Sequence, residues 1–255
     1  MKLIPKRKTE VGADGRMPLM AHLTELRNRI IICLVAVAAF AVIGFIAYSP
    51  IFNWLTTPLR EAQSGLKQCA NKQCELITTD FLQPFVVRLK IATYFGILFA
   101  SPVIMWQIWR FITPGLSDKE KRWAIPFLAS TIVLFAGGAA VAWFTLSRAF
   151  TFLISIGGVD IAVKSTADQY VTLVGLMFLA FGLSFEFPVL LMFLLLVRVL
   201  TTATLRKYRR HSMVGIVVFA AVLTPSQDPF SLFLMAGPMW IFYELCIILG
   251  KAMKR

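Results

Sequence analysis

Read along the chain, polar residues gather into clusters separated by six uncharged runs, at residues 30–58, 91–109, 123–147, 171–185, 212–227 and 229–243. The fourth run continues past Glu186 to Val197 and the sixth past Glu244 to Gly250. A helix rising 1.5 Å per residue needs about 20 apolar residues to cross a bilayer. The first four runs are long enough, the first spanning with part of its length. The last two are short and joined only by Pro225-Ser-Gln-Asp-Pro229. They predict a tight hairpin whose ends sit below one membrane surface, at the cost of local thinning or tilt. Thr-Pro recurs at Thr57-Pro58, Thr113-Pro114 and Thr224-Pro225, each beside the end of an apolar run. Proline lacks an N–H and restricts the residue before it, so these pairs read as helix terminators. No internal repeat of the inverted-transporter kind is visible.

Composition fixes the solvent. The 255 residues are 58% hydrophobic and 15% charged, with a mean hydropathy of +0.75, more apolar surface than a soluble domain of this size can hide. The net charge of +13 excludes nucleic acid as the explanation, because the cations lie between the apolar runs rather than on one folded face. Topology explains them. With a cytoplasmic N-terminus, that side holds 19 Lys and Arg, in the segments before Ile30, at 110–122, at 198–210 and after Gly250, and the opposite side holds 7, spread over two longer loops. Trp106, Trp109 and Trp123 then fall at the cytoplasmic interface and Trp54 and Trp143 near the other. The first 29 residues are charged and lack the apolar core of a cleavable signal, so the first run is expected to stay as an anchor. The expected organisation is a cytoplasmic segment 1–29 with an amphipathic helix, a membrane unit 30–250 with exported loops near 49–90 and 148–170, and a tail 251–255.

Few residues carry candidate chemistry. In the stretch 17–29, Pro18 suits a first helical turn, and Leu19, Leu23, Leu26 and Ile30 share one face. Glu25 and Arg29 share a polar flank and Arg27 lies on the other, which as spacing alone describes an interfacial helix with an i,i+4 ion pair. Glu186 sits about 15 residues into the fourth run, where a carboxylate costs about 2.5–3.5 kcal/mol and must be neutral, paired or facing a wet cavity. Cys69 and Cys74, in an exported loop, are expected to close a small disulfide ring. Asp80 ahead of Phe81, Phe85 and Leu89 reads as the cap of an amphipathic helix entering the second span. Cys33 and Cys246 read as small buried hydrophobes. His22 and His211 lie at span ends, away from any intramembrane nucleophile, and neither H-E-x-x-H nor a phosphate loop occurs. No enzyme, metal or cofactor is expected.

Five motifs in order then resemble one family. They are His22-Leu-Thr-Glu-Leu-Arg27, Ser101-Pro-Val, Trp109-Arg-Phe-Ile-Thr-Pro114 with Glu120 following, Phe181-Gly-Leu-Ser-Phe-Glu-Phe-Pro188, and Leu223-Thr-Pro225 before Asp228. Together they resemble the TatC family of the twin-arginine translocase. The resemblance implies an all-α membrane protein of six transmembrane helices forming a cupped bundle, with both termini cytoplasmic. It implies a bacterial inner-membrane receptor for folded precursors bearing a twin-arginine signal, working with TatA- and TatB-type single-span proteins on the proton-motive force, as a homo-oligomer within a hetero-complex. By the same resemblance Glu25 and Glu120, with Arg27 and Phe111 near them, bind the signal. Glu186 and Thr224 form an intramembrane polar contact with a partner helix, while Pro58, Phe85, Pro102 and Asp228 serve the exported cap and the frame. Two carboxylates suit the task, since a guanidinium is a rigid fork and an ammonium a point charge. The alternative is a secondary transporter or channel using Glu186 as an ion or proton site.

The topology predicts that single cysteines placed in 110–122 resist a membrane-impermeant reagent on intact cells, while one at Lys164 reacts. Labelling at Ser117 but not at Lys164 contradicts it.

Overall fold

A computed structural model describes residues 19–64, 76–115, 121, 123–156, 166–226 and 228–252. Among these residues the chain is almost wholly helical. The elements are α1 (Leu19–Ile46), α2 (Tyr48–Leu55), α3 (Thr57–Ser64), α4 (Gln83–Ile112), α5 (Ala124–Ile156), α6 (Ala167–Ser184), α7 (Phe187–Leu196), α8 (Thr202–Lys207), α9 (Arg209–Leu223) and α10 (Pro229–Ala252). Five helical stretches are long and apolar enough to cross a membrane: His22–Ile46, Gln83–Ile112, Ala124–Leu153, Ala167–Leu196 and Pro229–Ala252.

Several expectations need correction. The amphipathic lead-in and the first span form one helix of 28 residues, because nothing between Leu19 and Ile46 interrupts the hydrogen-bond ladder. Only one closing helix is short: α9 has 15 residues but α10 has 24. The last run continues through Glu244, as its sequence implies, and Glu244 there pairs with Arg209 at the start of α9 at 2.5 Å. The stretch 49–90 is not a plain loop, since it holds α2, α3 and the first turns of α4. The connection near 148–170 is also shorter, because α5 runs to Ile156. Asp80 does not cap α4. The helix starts at Gln83 with Pro84 in its first turn, and the Thr79 N–H donates to the Gln83 side chain at 2.5 Å.

The Thr-Pro pairs do end helices, at Leu55, Ile112 and Leu223. Pro102 lies inside α4 and does not break it. A proline there cannot donate to the carbonyl four residues back, that of Leu98. The Ser101 hydroxyl donates to that same carbonyl at 2.7 Å, replacing the lost bond where no water is at hand.

Helix order follows from which faces can close. α1 lies along α4, α4 touches α6 and α5, α5 runs along α6, and α10 packs on α9, α7 and α5. The approach of α1 to α4 is close enough that a Cβ on Gly96 would stand 2.7 Å from the Val37 carbonyl oxygen. α5 and α6 are equally close, a Cβ on Gly138 meeting the Phe181 carbonyl at 2.5 Å. Such small-residue contacts supply the packing that lipid cannot drive by hydrophobicity. At the end remote from the start of α1, Tyr170 donates to the Leu55 carbonyl at 2.6 Å, and Lys90 meets Asp168 at 2.6 Å and Thr172 at 2.9 Å. An apolar cavity of about 810 Å³ opens beneath α2 between α4, α5 and α6, walled by Trp54, Tyr94, Phe99, Pro102, Trp143 and Phe178. The Trp54 and Trp143 rings stack there at 3.9 Å.

Ser101→Ala should lower unfolding stability by about 1–3 kcal/mol, the cost of an unpaired buried carbonyl. Pro102→Ala on that background should recover most of it by restoring the backbone donor. Equal losses in Ser101→Ala and the double variant, measured by thermal unfolding in one detergent, would exclude the substitution of hydroxyl for amide.

Candidate functional site

The first polar cluster is built where α1 begins and α4 ends. One helical turn puts Glu25 and Arg29 on a common flank, and the structure joins them: Arg29 Nε donates to Glu25 Oε1 at 3.1 Å and its Nη2 pairs with the same oxygen. The Arg29 guanidinium also reaches across to α4, donating to Gln107 Oε1 at 3.2 Å and to the Arg110 carbonyl at 3.1 Å. That carbonyl lies four residues before Pro114, which has no N–H to offer it. Beside these contacts the His22 ring stacks on Phe111, centroids 4.4 Å apart and planes 16° from parallel. Arg27 is exposed and has no hydrogen bond or ion pair among the described residues. The structure thus brings Glu25 and Phe111 to one place. Glu120 lies outside the described residues, as do Cys69 and Cys74.

The second cluster surrounds Glu186. The fourth apolar run does not form one regular helix: α6 ends at Ser184 and α7 begins at Phe187. Glu186 sits in the turn between them, with Pro188 in the first turn of α7. Its Oε1 is buried and has no hydrogen-bond partner, and the Thr131 side chain of α5 flanks the carboxyl. Thr131 is 2% exposed; its hydroxyl accepts from the Trp109 indole N–H at 3.2 Å and donates to the Phe127 carbonyl at 2.9 Å. Trp109 at the end of α4 thus reaches the Thr131 hydroxyl of α5, and the Thr131 side chain flanks the carboxyl in the break between α6 and α7.

Other expected residues have local partners. The Thr224 hydroxyl donates to the Ala220 carbonyl at 2.7 Å and lies 3.7 Å from the Met235 sulfur. Among the described residues it makes no hydrogen bond to Glu186. Asp228 caps α10, its Oδ1 accepting from the Ser231 N–H at 2.7 Å ahead of Pro229, a favourable first helical residue. Its Oδ2 is buried without a partner. Pro58 is buried in the first turn of α3, and Phe85 is exposed on the first turn of α4. Sequence reasoning missed Gln107, Thr131 and the cross-helix role of Arg29. A side-chain amide inside an uncharged run was a visible signal for Gln107. Thr131 gave none, because a threonine in such a run normally bonds its own helix.

Comparison with known proteins places this geometry. The family described as "Sec-independent protein translocase protein (TatC)" matches residues 21–238, a range that includes Glu25, Glu186 and Asp228. The chain is 42% identical over 251 residues to the Sec-independent protein translocase protein TatC of Frankia casuarinae, covering 96% of this chain and 68% of that one. It is 36% identical over 242 residues to the TatC protein of Aquifex aeolicus, covering 94% and 97% respectively. A crystal structure described as the twin arginine translocase receptor TatC superposes with a TM-score of 0.74 at 35% identity, covering 92% of this chain and 100% of that one.

Proposed function

The chain belongs to the TatC family and is a multi-pass inner-membrane component of a protein translocase; from that premise we propose that it is the receptor and scaffold of twin-arginine export. In this reading it binds the signal peptides of folded precursors and, with single-span subunits of the TatA and TatB type, moves them across the membrane on the proton-motive force. It carries out no covalent step of its own, and works as one of several copies within a hetero-complex.

The observation that carries the reading is the fixed carboxylate at the meeting of α1 and α4. Glu25 is paired with Arg29, and the His22–Phe111 stack joins the same two helix ends. Glu120 supplies the second acceptor and Arg27 the adjacent cation, free to grip lipid phosphate or the edge of the signal. In this topology α9 is a sixth, shallow crossing and both termini are cytoplasmic, which agrees with the 19-to-7 division of basic residues. That basic surface opposes a cationic signal at long range, so short-range pairing and the signal's apolar segment must supply the affinity. Pro58 and Phe85 belong to the exported cap, Pro102 and Asp228 to the frame, and Thr224 to the wall between α9 and α10.

Glu186 is proposed as the contact for a partner's transmembrane helix. An unpartnered carboxyl oxygen at that depth calls for a hydrogen-bond donor, and a donor on a neighbouring helix satisfies it without water. The transporter alternative has only the midspan position of Glu186 behind it, whereas relatives such as the Aquifex aeolicus protein, matched over 97% of its length, bear translocase names. Site-directed crosslinking to a single-span partner should persist in Glu186→Gln, whose amide still bonds, and fall in Glu186→Leu. Equal crosslinking in wild type and Glu186→Leu contradicts the contact.

Signal binding makes the sharper test. Hydrogen bonds to charged groups contribute about 1.5–3 kcal/mol, so Glu25→Gln and Glu120→Gln should each weaken binding of an Arg-Arg signal by about ten- to a hundred-fold. The two losses should not add, because one ligand engages both groups. If wild type and every variant bind Arg-Arg and Lys-Lys signals equally, the two-carboxylate site does not exist.

A further inference from the structure

We propose that Arg29, gripped by Gln107 and the Arg110 carbonyl, is the positioning residue that makes Glu25 selective, by occupying one carboxylate oxygen and fixing the other in place for the guest. The inference rests on the reading of Glu25 as part of the signal site.

The geometry carries it as follows. Both Arg29 contacts to Glu25 fall on the same oxygen, Oε1. Oε2 has no hydrogen bond among the described residues and is the oxygen left to receive a ligand. Arg29 itself is not a loose surface cation. Its side chain is 13% exposed, and Nη1 and Nη2 are tied to acceptors on α4, Gln107 being buried. A guanidinium has five N–H donors in one plane, so a group with Nε and both terminal nitrogens engaged cannot rotate without breaking several bonds together. Glu25 is thereby held by a rigid partner on its own chain instead of following whatever cation approaches.

This arrangement has two consequences for recognition. With Oε1 committed, a guest guanidinium cannot lay both arms of its fork across Glu25. One N–H meets Oε2 and the next must find a second acceptor at a fixed offset, which a planar fork can do and a point-like ammonium cannot. The neighbouring cation also partly offsets the Glu25 charge, which reduces indiscriminate attraction of any positive ligand. Arg29 therefore gives up affinity for cations in general and gains discrimination between arginine and lysine. A residue that only braced α1 against α4 would affect both ligands alike.

The experiment measures binding of synthetic Arg-Arg and Lys-Lys signal peptides to the full chain in lipid nanodiscs, for wild type, Arg29→Gln, Arg29→Lys, Gln107→Leu and Glu25→Gln. Both Arg29 variants should lower the ratio of Arg-Arg to Lys-Lys affinity by about ten-fold. In Arg29→Gln this comes partly from tighter Lys-Lys binding. Gln107→Leu, which leaves the Glu25 pair intact but releases one arm of its clamp, should lower the ratio by a smaller factor and keeps the test open if the Arg29 variants fold poorly. Affinities that fall together at an unchanged ratio in all three variants mean a bracing role only and overturn the proposal. So does a wild-type ratio retained in Arg29→Lys, since charge without the fork would then suffice. Should Glu25→Gln leave Arg-Arg binding untouched, the signal site itself is wrong and the inference falls with it. If Glu25→Gln weakens binding while the Arg29 variants keep the ratio, only the positioning role is lost.

Discussion

A backbone carbonyl without a donor is the constraint on which this structure turns. In a hydrocarbon setting no water repairs the bonds that proline removes, and this chain places prolines at nearly every junction. Two of those lost bonds have a substitute donor. Ser101 replaces the missing amide at Leu98, whereas the Thr113 and Thr224 hydroxyls only add to the Trp109 and Ala220 carbonyls, which already accept the backbone N–H of the same threonines. At the end of α4 the substitute is Arg29, reaching from another helix to the Arg110 carbonyl. There the repair of a helix end and the placement of a functional carboxylate are one arrangement, because the guanidinium that bonds the carbonyl also holds Glu25.

The same constraint explains where polar side chains survive at depth. Trp109, Thr131 and Glu186 lie on three different elements, and the threonine hydroxyl both accepts from the indole and donates to its own helix. Glu186 retains an oxygen with no partner. A buried carboxyl oxygen left this way is costly, which is tolerable where the protein meets something else. Its position in the break between α6 and α7 matters too. The turn and Pro188 prevent the carboxyl from being absorbed into a continuous helix face, and leave it at the seam between helices.

Much of this was legible in the sequence, and the reasons for the failures are physical. Uncharged runs located the long helices because crossing length is set by rise per residue, and the spacing of Glu25 and Arg29 predicted their pair because helical neighbours four apart must meet. Some helix ends beyond the uncharged runs were misjudged. α5 runs on past Arg148 to Ile156, since a charged residue does not by itself end a helix. The cap of α4 was misplaced by two residues: Leu82 stands at the N-cap with no side-chain bond, and Pro84 in the first turn removes one of the N–H groups a cap would serve. Contacts between distant parts of the chain, such as Arg29 with Gln107 and Thr131 with Trp109, have no periodicity to reveal them. They depend on the register between helices.

That register is set by small residues. A Cβ on Gly44 would stand 3.0 Å from the Phe95 side chain, and one on Gly96 would collide with the backbone at Val37. These glycines let α1 and α4 approach along much of their length, and a pair of helices in such contact cannot slide without steric cost. The site at their common end inherits that rigidity. α1 is otherwise poorly supported: only 6% of its apolar window is buried within the protein, so α4 is nearly its whole foundation. The Arg29 bonds to Gln107 and Arg110 then close the end that the glycines cannot reach, and hold a carboxylate in a fixed orientation on a helix whose other faces are open to lipid or to partners.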